Sequence, residues 1–164
     1  MRKIEPFDGG IVVVDKPAGW TSHDVVNRVR RLYDTRQVGH TGTLDPLATG
    51  VLAVLVGRAV KASEYLSAHD KCYEARFRLG VVSDTGDITG SLTGTGAPIP
   101  PVDAVLAAAR AMRGRQMQTP PMTSAVKVAG KKLVDYARAG KTVEVAPREI
   151  EIYEIEAKPA ADGE

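Results

Sequence analysis

The stretch VGHTGTLDPLATG, Val38 to Gly50, is followed at once by VLAVLV. Three glycines, one proline and three threonines in the first stretch break any helix or continuous strand and read as an ordered loop. The apolar run behind it reads as a buried strand. Whatever fold the chain adopts therefore hangs this loop on rigid scaffold. Asp45 stands out within it, because the following Pro46 biases it towards an extended backbone from which its side chain can project. Two readings of Asp45 stay open on residue types alone: a turn or helix cap, as Asp often is, or a carboxylate available for chemistry.

The flanking segments supply the scaffold. GIVVVDKPAG reads as a short buried strand ending in a turn that holds Lys16 and Pro17. Thr21 or Ser22 can then cap a helix with Val25, Val26, Val29 and Leu32 on one face and Arg28, Arg30 and Arg31 largely on the others. Gly57 to His69 reads as a helix with Val60 and Leu66 inward, and the alternation from Cys72 to Leu79 reads as a strand. GDITGSLTGTGAPIPP is rich in turn residues and reads as an exposed connection. Pro101 suits a first helical position, with Val102, Val105, Leu106, Ala109 and Met112 as the apolar stripe and Gly114 as the stop. Leu133 to Arg138 reads as a short basic helix in a projecting loop, and TVEV and EIEIYEI read as strand, break, strand around Pro147.

A length of 164 residues with 43% hydrophobic content suits one globular domain with a real core. The single Cys72 cannot form an internal disulfide, no apolar run reaches the length of a membrane span, and Met1 to Gly10 does not resemble a signal peptide, so a reduced, cytoplasmic setting is expected. His23, His40, His69 and Cys72 lack zinc-site spacing, and neither a Walker loop nor a GxGxxG turn occurs, so no metal or nucleotide cofactor is expected. Net charge is only +2, but it is unevenly spread. Between residues 110 and 141 eight basic residues (Arg110, Arg113, Arg115, Lys127, Lys131, Lys132, Arg138, Lys141) face Asp135 alone, whereas from Glu144 to Glu164 seven acids face Arg148 and Lys158. A local basic field of that kind can attract a phosphate backbone, though a solvated basic face is the plain alternative. Trp20 and Tyr73 could stack on unpaired bases or could simply pack.

GIVVVDKPAGWTSHDVVNRVRRLY and VGHTGTLDPLATGVLAVLVGRAVKASEYL resemble the signature blocks of the bacterial TruB-type tRNA pseudouridine-55 synthases. DKCYEARFRLG with SDTGDITG is similar to that family's strand carrying a substrate-facing tyrosine, and PPMTSAVKVAGKKLVDYARAG to its RNA-gripping thumb. The resemblance implies an α/β (α+β) pseudouridine-synthase fold, a mixed sheet flanked by helices with a projecting basic thumb. It implies Asp45 as the catalytic carboxylate, Tyr73 as the ring that stacks on the target uracil, and His40 as the side chain filling the place of the flipped base. Lys16, Pro17 and Gly42 become structural supports of the site, and Lys127, Lys131, Lys132 and Arg138 contacts to RNA phosphates.

The reaction implied is the isomerisation of uridine to pseudouridine in the T-loop of tRNA, without metal or organic cofactor. Uracil is cut from its ribose at N1, turned over and rejoined through C5; the carboxylate can act as nucleophile or as base, and the nucleotide must be flipped out to be reached. The expected partner is the T stem-loop of tRNA, with no guide RNA and no membrane, and the protein acting as a monomer. Residues 1–164 are expected to form a catalytic domain that lacks the family's downstream Gly-Thr-Tyr-Ile-Arg type block, whose arginine pairs with the carboxylate, and its small C-terminal RNA-binding domain. The rival from another class is a catalytically silent RNA-binding or RNA-chaperoning fragment of the same fold. A nearer rival is the guide-RNA-dependent branch of the family, which the short spacing between blocks disfavours.

Overall fold

A computed structural model describes residues 8–124 and 126–160. Residues 1–7, read above for a signal peptide, and the terminal Asp162 and Glu164 of the acidic stretch lie outside the described residues. The chain divides into two compact units, Met1–Tyr73 and Glu74–Glu164.

In the first unit β1 (Gly9–Lys16), α1 (Ser22–Tyr33), β2 (Val38–His40) and β3 (Gly50–Gly57) are followed by a 3-10 turn (Arg58–Ala62) and α2 (Ser63–Ser67). The sheet order is β1-β3-β2, with β3 antiparallel to both neighbours. β1 and β2 thus run in the same direction, joined by the α1 crossover, and β3 slots between them. Val25, Val26 and Val29 of α1 are buried against Val38, Leu52, Val54 and Val56, with Val12, Val14, Tyr33 and Leu44 packed around them. Each such side chain removed from water contributes about 1.5 kcal/mol or more, so this helix-on-sheet layer is what holds the unit together.

The start of α1 is set by a capping box. Thr21 is the N-cap, its hydroxyl accepting from the Asp24 amide, while the Asp24 carboxylate accepts from the Thr21 amide at 2.9 Å. The Thr21 hydroxyl, then its amide, hold the Asp24 carboxyl below its ordinary value. Leu32, expected inward, is 58% exposed, and it is Tyr33, the last residue before the left-handed Asp34, that packs against the core. The helix expected over 57–69 is split into the 3-10 turn and α2, with Val60 and Leu66 half-buried.

The second unit contains β4 (Val81–Ser83), β5 (Leu92–Gly94), α3 (Val102–Ala111), β6 (Gly114–Gln118), β7 (Lys127–Val128), β8 (Lys131–Lys132), α4 (Leu133–Arg138) and β9 (Arg148–Ile152), paired as β4-β5, β6-β9 and β7-β8. The class is α+β, but the mixed sheet anticipated from sequence is, among the described residues, a set of antiparallel ladders. The crossover does bring two parallel strands to one sheet; they are simply not neighbours. The strand expected from Cys72 to Leu79 is absent, and all eight residues are exposed. Alternation makes a strand only where a ladder partner is offered. TVEV likewise stays out of the sheets, and only Arg148–Ile152 pairs, with β6. The polar connection after Gly86 is more structured than its composition suggests: it contains β5, and its carboxylates are engaged locally. Asp87 accepts from the Thr89 hydroxyl and amide and from the Thr85 hydroxyl, which lower its pKa in that order, and Asp84 accepts from the Ser91 amide at 2.8 Å. α3 runs as expected from Pro101, here its N-cap, although Val102 and Met112 face outward and Gly114 opens β6.

Candidate active site

Asp45 sits in the loop that joins β2 to β3, at the first position of a tight turn in which its carbonyl accepts from the Ala48 amide at 3.0 Å. Pro46 fits the second position of such a turn. The residue is exposed, and among the described residues its carboxylate makes no hydrogen bond or ion pair. It is not a cap; the side chain is available.

The residues on either side of Asp45 are held. The Leu44 amide donates to the Ser22 hydroxyl oxygen at 2.9 Å, and that hydroxyl lies 3.2 Å from the Leu44 carbonyl oxygen. The Leu44 side chain packs against the core. The Pro46 carbonyl accepts from the Gly19 amide at 2.7 Å and from the Lys16 ammonium at 3.4 Å. Lys16 is fully buried and donates also to the carbonyls of Pro17 at 3.0 Å and Trp20 at 2.7 Å. Its partners are therefore backbone dipoles, and together they tie the turn after β1 to the turn that carries Asp45. Pro17 is exposed and enters this network through its carbonyl.

His40 is the last residue of β2, paired with Val54, and its Nδ1 is buried without a hydrogen-bond partner among the described residues. Gly42 lies outside the left-handed region, and a Cβ there would meet the Lys71 side chain at 3.8 Å, so nothing in its backbone demands glycine. Tyr73 is 67% exposed and stands in an irregular segment at the end of the first unit.

The four thumb residues belong to the second unit. β7 and β8 form a hairpin whose two central residues, Ala129 and Gly130, both have positive φ (49° and 80°), the geometry of a tight turn matched to strand twist. Lys127 lies directly opposite Lys132, an arrangement of like charges that costs stability by itself. Both, with Lys131 and Arg138, are exposed. The hairpin is anchored by fully buried Leu133, by a 2.8 Å bond from its amide to the Val126 carbonyl and by the Tyr136 hydroxyl on Val128. The Lys131 ammonium stands 4.9 Å from the Tyr136 ring centre. Part of the wider basic field is neutralised at home: Arg115 faces Glu149 and Glu151 at 3.8 and 3.7 Å across the β6-β9 ladder. Among the described residues the thumb cations are not offset in this way.

The family described as TruB family pseudouridylate synthase (N terminal domain) matches residues 30–162. The chain belongs to the TruB family. Among TruB relatives, the protein named tRNA pseudouridine synthase B of Thermobifida fusca is 54% identical over 148 residues, covering 89% of this chain and 50% of that protein. The protein of the same name from Gluconacetobacter diazotrophicus is 47% identical over 163 residues, 98% of this chain and 53% of its own length. The chain thus spans about half the length of the curated TruB relatives it matches. A solved structure described as a Cbf5-Nop10-Gar1 complex shares the fold at a TM-score of 0.53 and 22% identity, covering 92% of this chain and 36% of the solved one.

Sequence reasoning found the TruB loop but missed one residue that holds it. Ser22 was a candidate cap; Thr21 takes that task, which leaves the Ser22 hydroxyl for Leu44. The signal was present in the doublet, since a helix start needs only one capping hydroxyl.

Proposed function

We propose that this chain carries the aspartate-bearing part of an enzyme that isomerises uridine to pseudouridine in the T-loop of tRNA, with Asp45 as the catalytic carboxylate. The observation that carries the reading is an exposed, unpaired carboxylate clamped through the backbone on both sides, within a chain that belongs to the TruB family. The names of the relatives supply the substrate class. A carboxylate so held can attack the base or sugar, or take a proton from the ribose, without first being released from a structural partner. Tyr73, exposed, offers a ring face to a flipped base, and His40 can occupy the stack that the base leaves. Lys16, Pro17 and Gly42 belong to the supporting framework, Lys16 by the bonds described above.

The partner is RNA. An exposed hairpin with two lysines set opposite each other is better accounted for by a polyanion than by internal stability, since bound phosphates would relieve the repulsion. Among the described residues no helix is long and apolar enough to cross a membrane. The deciding experiment is tritium release from C5-labelled uridine in a T stem-loop, without and then with guide RNA and alongside filter binding, using this chain and this chain joined to the C-terminal half of the Thermobifida relative. Release by either form supports the reading. Binding without release in both forms would favour the silent RNA-binding alternative, and release only with a guide RNA would move the protein to the other branch.

The thumb assignment has its own check. Replacing Lys131 and Lys132 together by Ala is expected to weaken RNA binding evenly across loop sequences and to flatten the log-log salt dependence by about 1 to 2 units, because phosphate contacts carry affinity and no sequence information. Filter binding at several salt concentrations reads the slope; an unchanged slope would return both lysines to the solvated surface.

A further inference from the structure

We propose that Ser22 is a positioning residue for the Asp45 carboxylate, an inference that rests on the function proposed above. Ser22 lies 22 residues before Leu44, is 3% exposed, and is the first residue of α1. Its single hydroxyl serves both backbone polar groups of Leu44, accepting from the amide at 2.9 Å and donating to the carbonyl at 3.2 Å. A strand neighbour would normally offer these two bonds; here the loop has left the sheet, and the serine stands in for the missing ladder. Leu44 immediately precedes Asp45, so fixing its peptide groups restricts the backbone from which the carboxylate projects.

Three features make the clamp directional. The capping box of Thr21 and Asp24 sets where α1 begins, and hence where the Ser22 oxygen stands. The Leu44 side chain is packed against the core, so the residue is gripped by side chain and backbone together. The other side of Asp45 is held separately, by Gly19 and Lys16 on the Pro46 carbonyl. Removing the Ser22 hydroxyl therefore releases the Leu44 peptide groups while the Leu44 side chain and the Pro46 side stay anchored, which shifts the carboxylate without loss of the loop.

The expected result for Ser22→Ala, in whichever form of the protein releases tritium, is a fall in kcat of roughly ten- to a hundredfold, with KM within twofold and the thumb salt slope unchanged. Ser22→Thr, which keeps the hydroxyl, restores most of kcat. A kcat within twofold of the unsubstituted protein, or a loss carried by KM, overturns the proposal. A second measurement needs neither activity nor a substitution: amide hydrogen exchange on the unsubstituted chain. The Leu44 amide is expected to be protected like those of β3, while the amide of exposed Thr43 exchanges freely; a Leu44 amide that exchanges as fast as Thr43 overturns the clamp whatever the RNA experiments show. If no form releases tritium but Leu44 is protected, the functional reading fails and the clamp stands as structure only.

Discussion

Asp45→Asn is expected to abolish uridine isomerisation, by a factor on the order of 10⁴ or more, while RNA affinity stays within a few-fold. The amide keeps the shape of the carboxylate but neither attacks carbon nor takes a proton. The geometry argues for this clean separation. Asp45 is exposed and among the described residues has no side-chain partner, so nothing in the loop has to rearrange when its charge is lost. The backbone contacts that hold its neighbours involve Ser22, Gly19 and Lys16 and are untouched. On the proposed function binding is expected to tighten slightly, since an anion is removed where the RNA would approach. Tritium release in a single-turnover format gives the rate and filter binding gives the affinity. Activity within tenfold of the unsubstituted protein would remove Asp45 from its role.

Lys16→Met is expected to destabilise the protein by about 2 kcal/mol, which corresponds to roughly 4 to 8 °C in Tm. Two terms oppose each other. Methionine relieves the cost of keeping an ammonium out of water, and at a buried position that relief is appreciable. Against it stand three carbonyls that lose a charged donor, two of them at 2.7 and 3.0 Å, and bonds to a charged group typically contribute about 1.5 to 3 kcal/mol each. Trp20 is 41% exposed, so water can reach part of the site and repair some of the loss; the Pro46 carbonyl keeps its bond from Gly19. The net is a moderate loss of stability and a loss of turnover, because Lys16 orders the turn after β1 and shares with the Gly19 amide the Pro46 carbonyl of the Asp45 turn. Thermal unfolding of the two proteins settles the sign: a variant as stable as its parent would mean that the carbonyls are satisfied some other way.

The legible parts of the fold were those decided locally. α1 could be placed because a capping doublet precedes valines at helical spacing, and β3 because an apolar run follows a loop that cannot continue any element. The loop itself was legible as a motif, and its family followed from it. What sequence could not supply was pairing. Cys72 to Leu79 alternates as a strand would, but β1 finds β3 and that segment finds no ladder among the described residues. The arrangement of β3 between β1 and β2 was hidden for the same reason: crossover patterns fix direction, not adjacency. The Ser22 bond to Leu44 escaped because serine at a helix start is read as a local cap, whereas its partner is far along the chain. Gly42 went the other way, singled out within a motif although its backbone conformation needs no glycine.

The placement of β3 at the centre of its sheet has a consequence for how the protein is made. Without β3, β1 and β2 have no common partner, and the valines of α1 lack the cover of Leu52, Val54 and Val56. Both ladders need β3, and the loop carrying Asp45 runs directly into it. A nascent chain is therefore sticky until the site is shaped, and the shaped site reports that the sheet is complete.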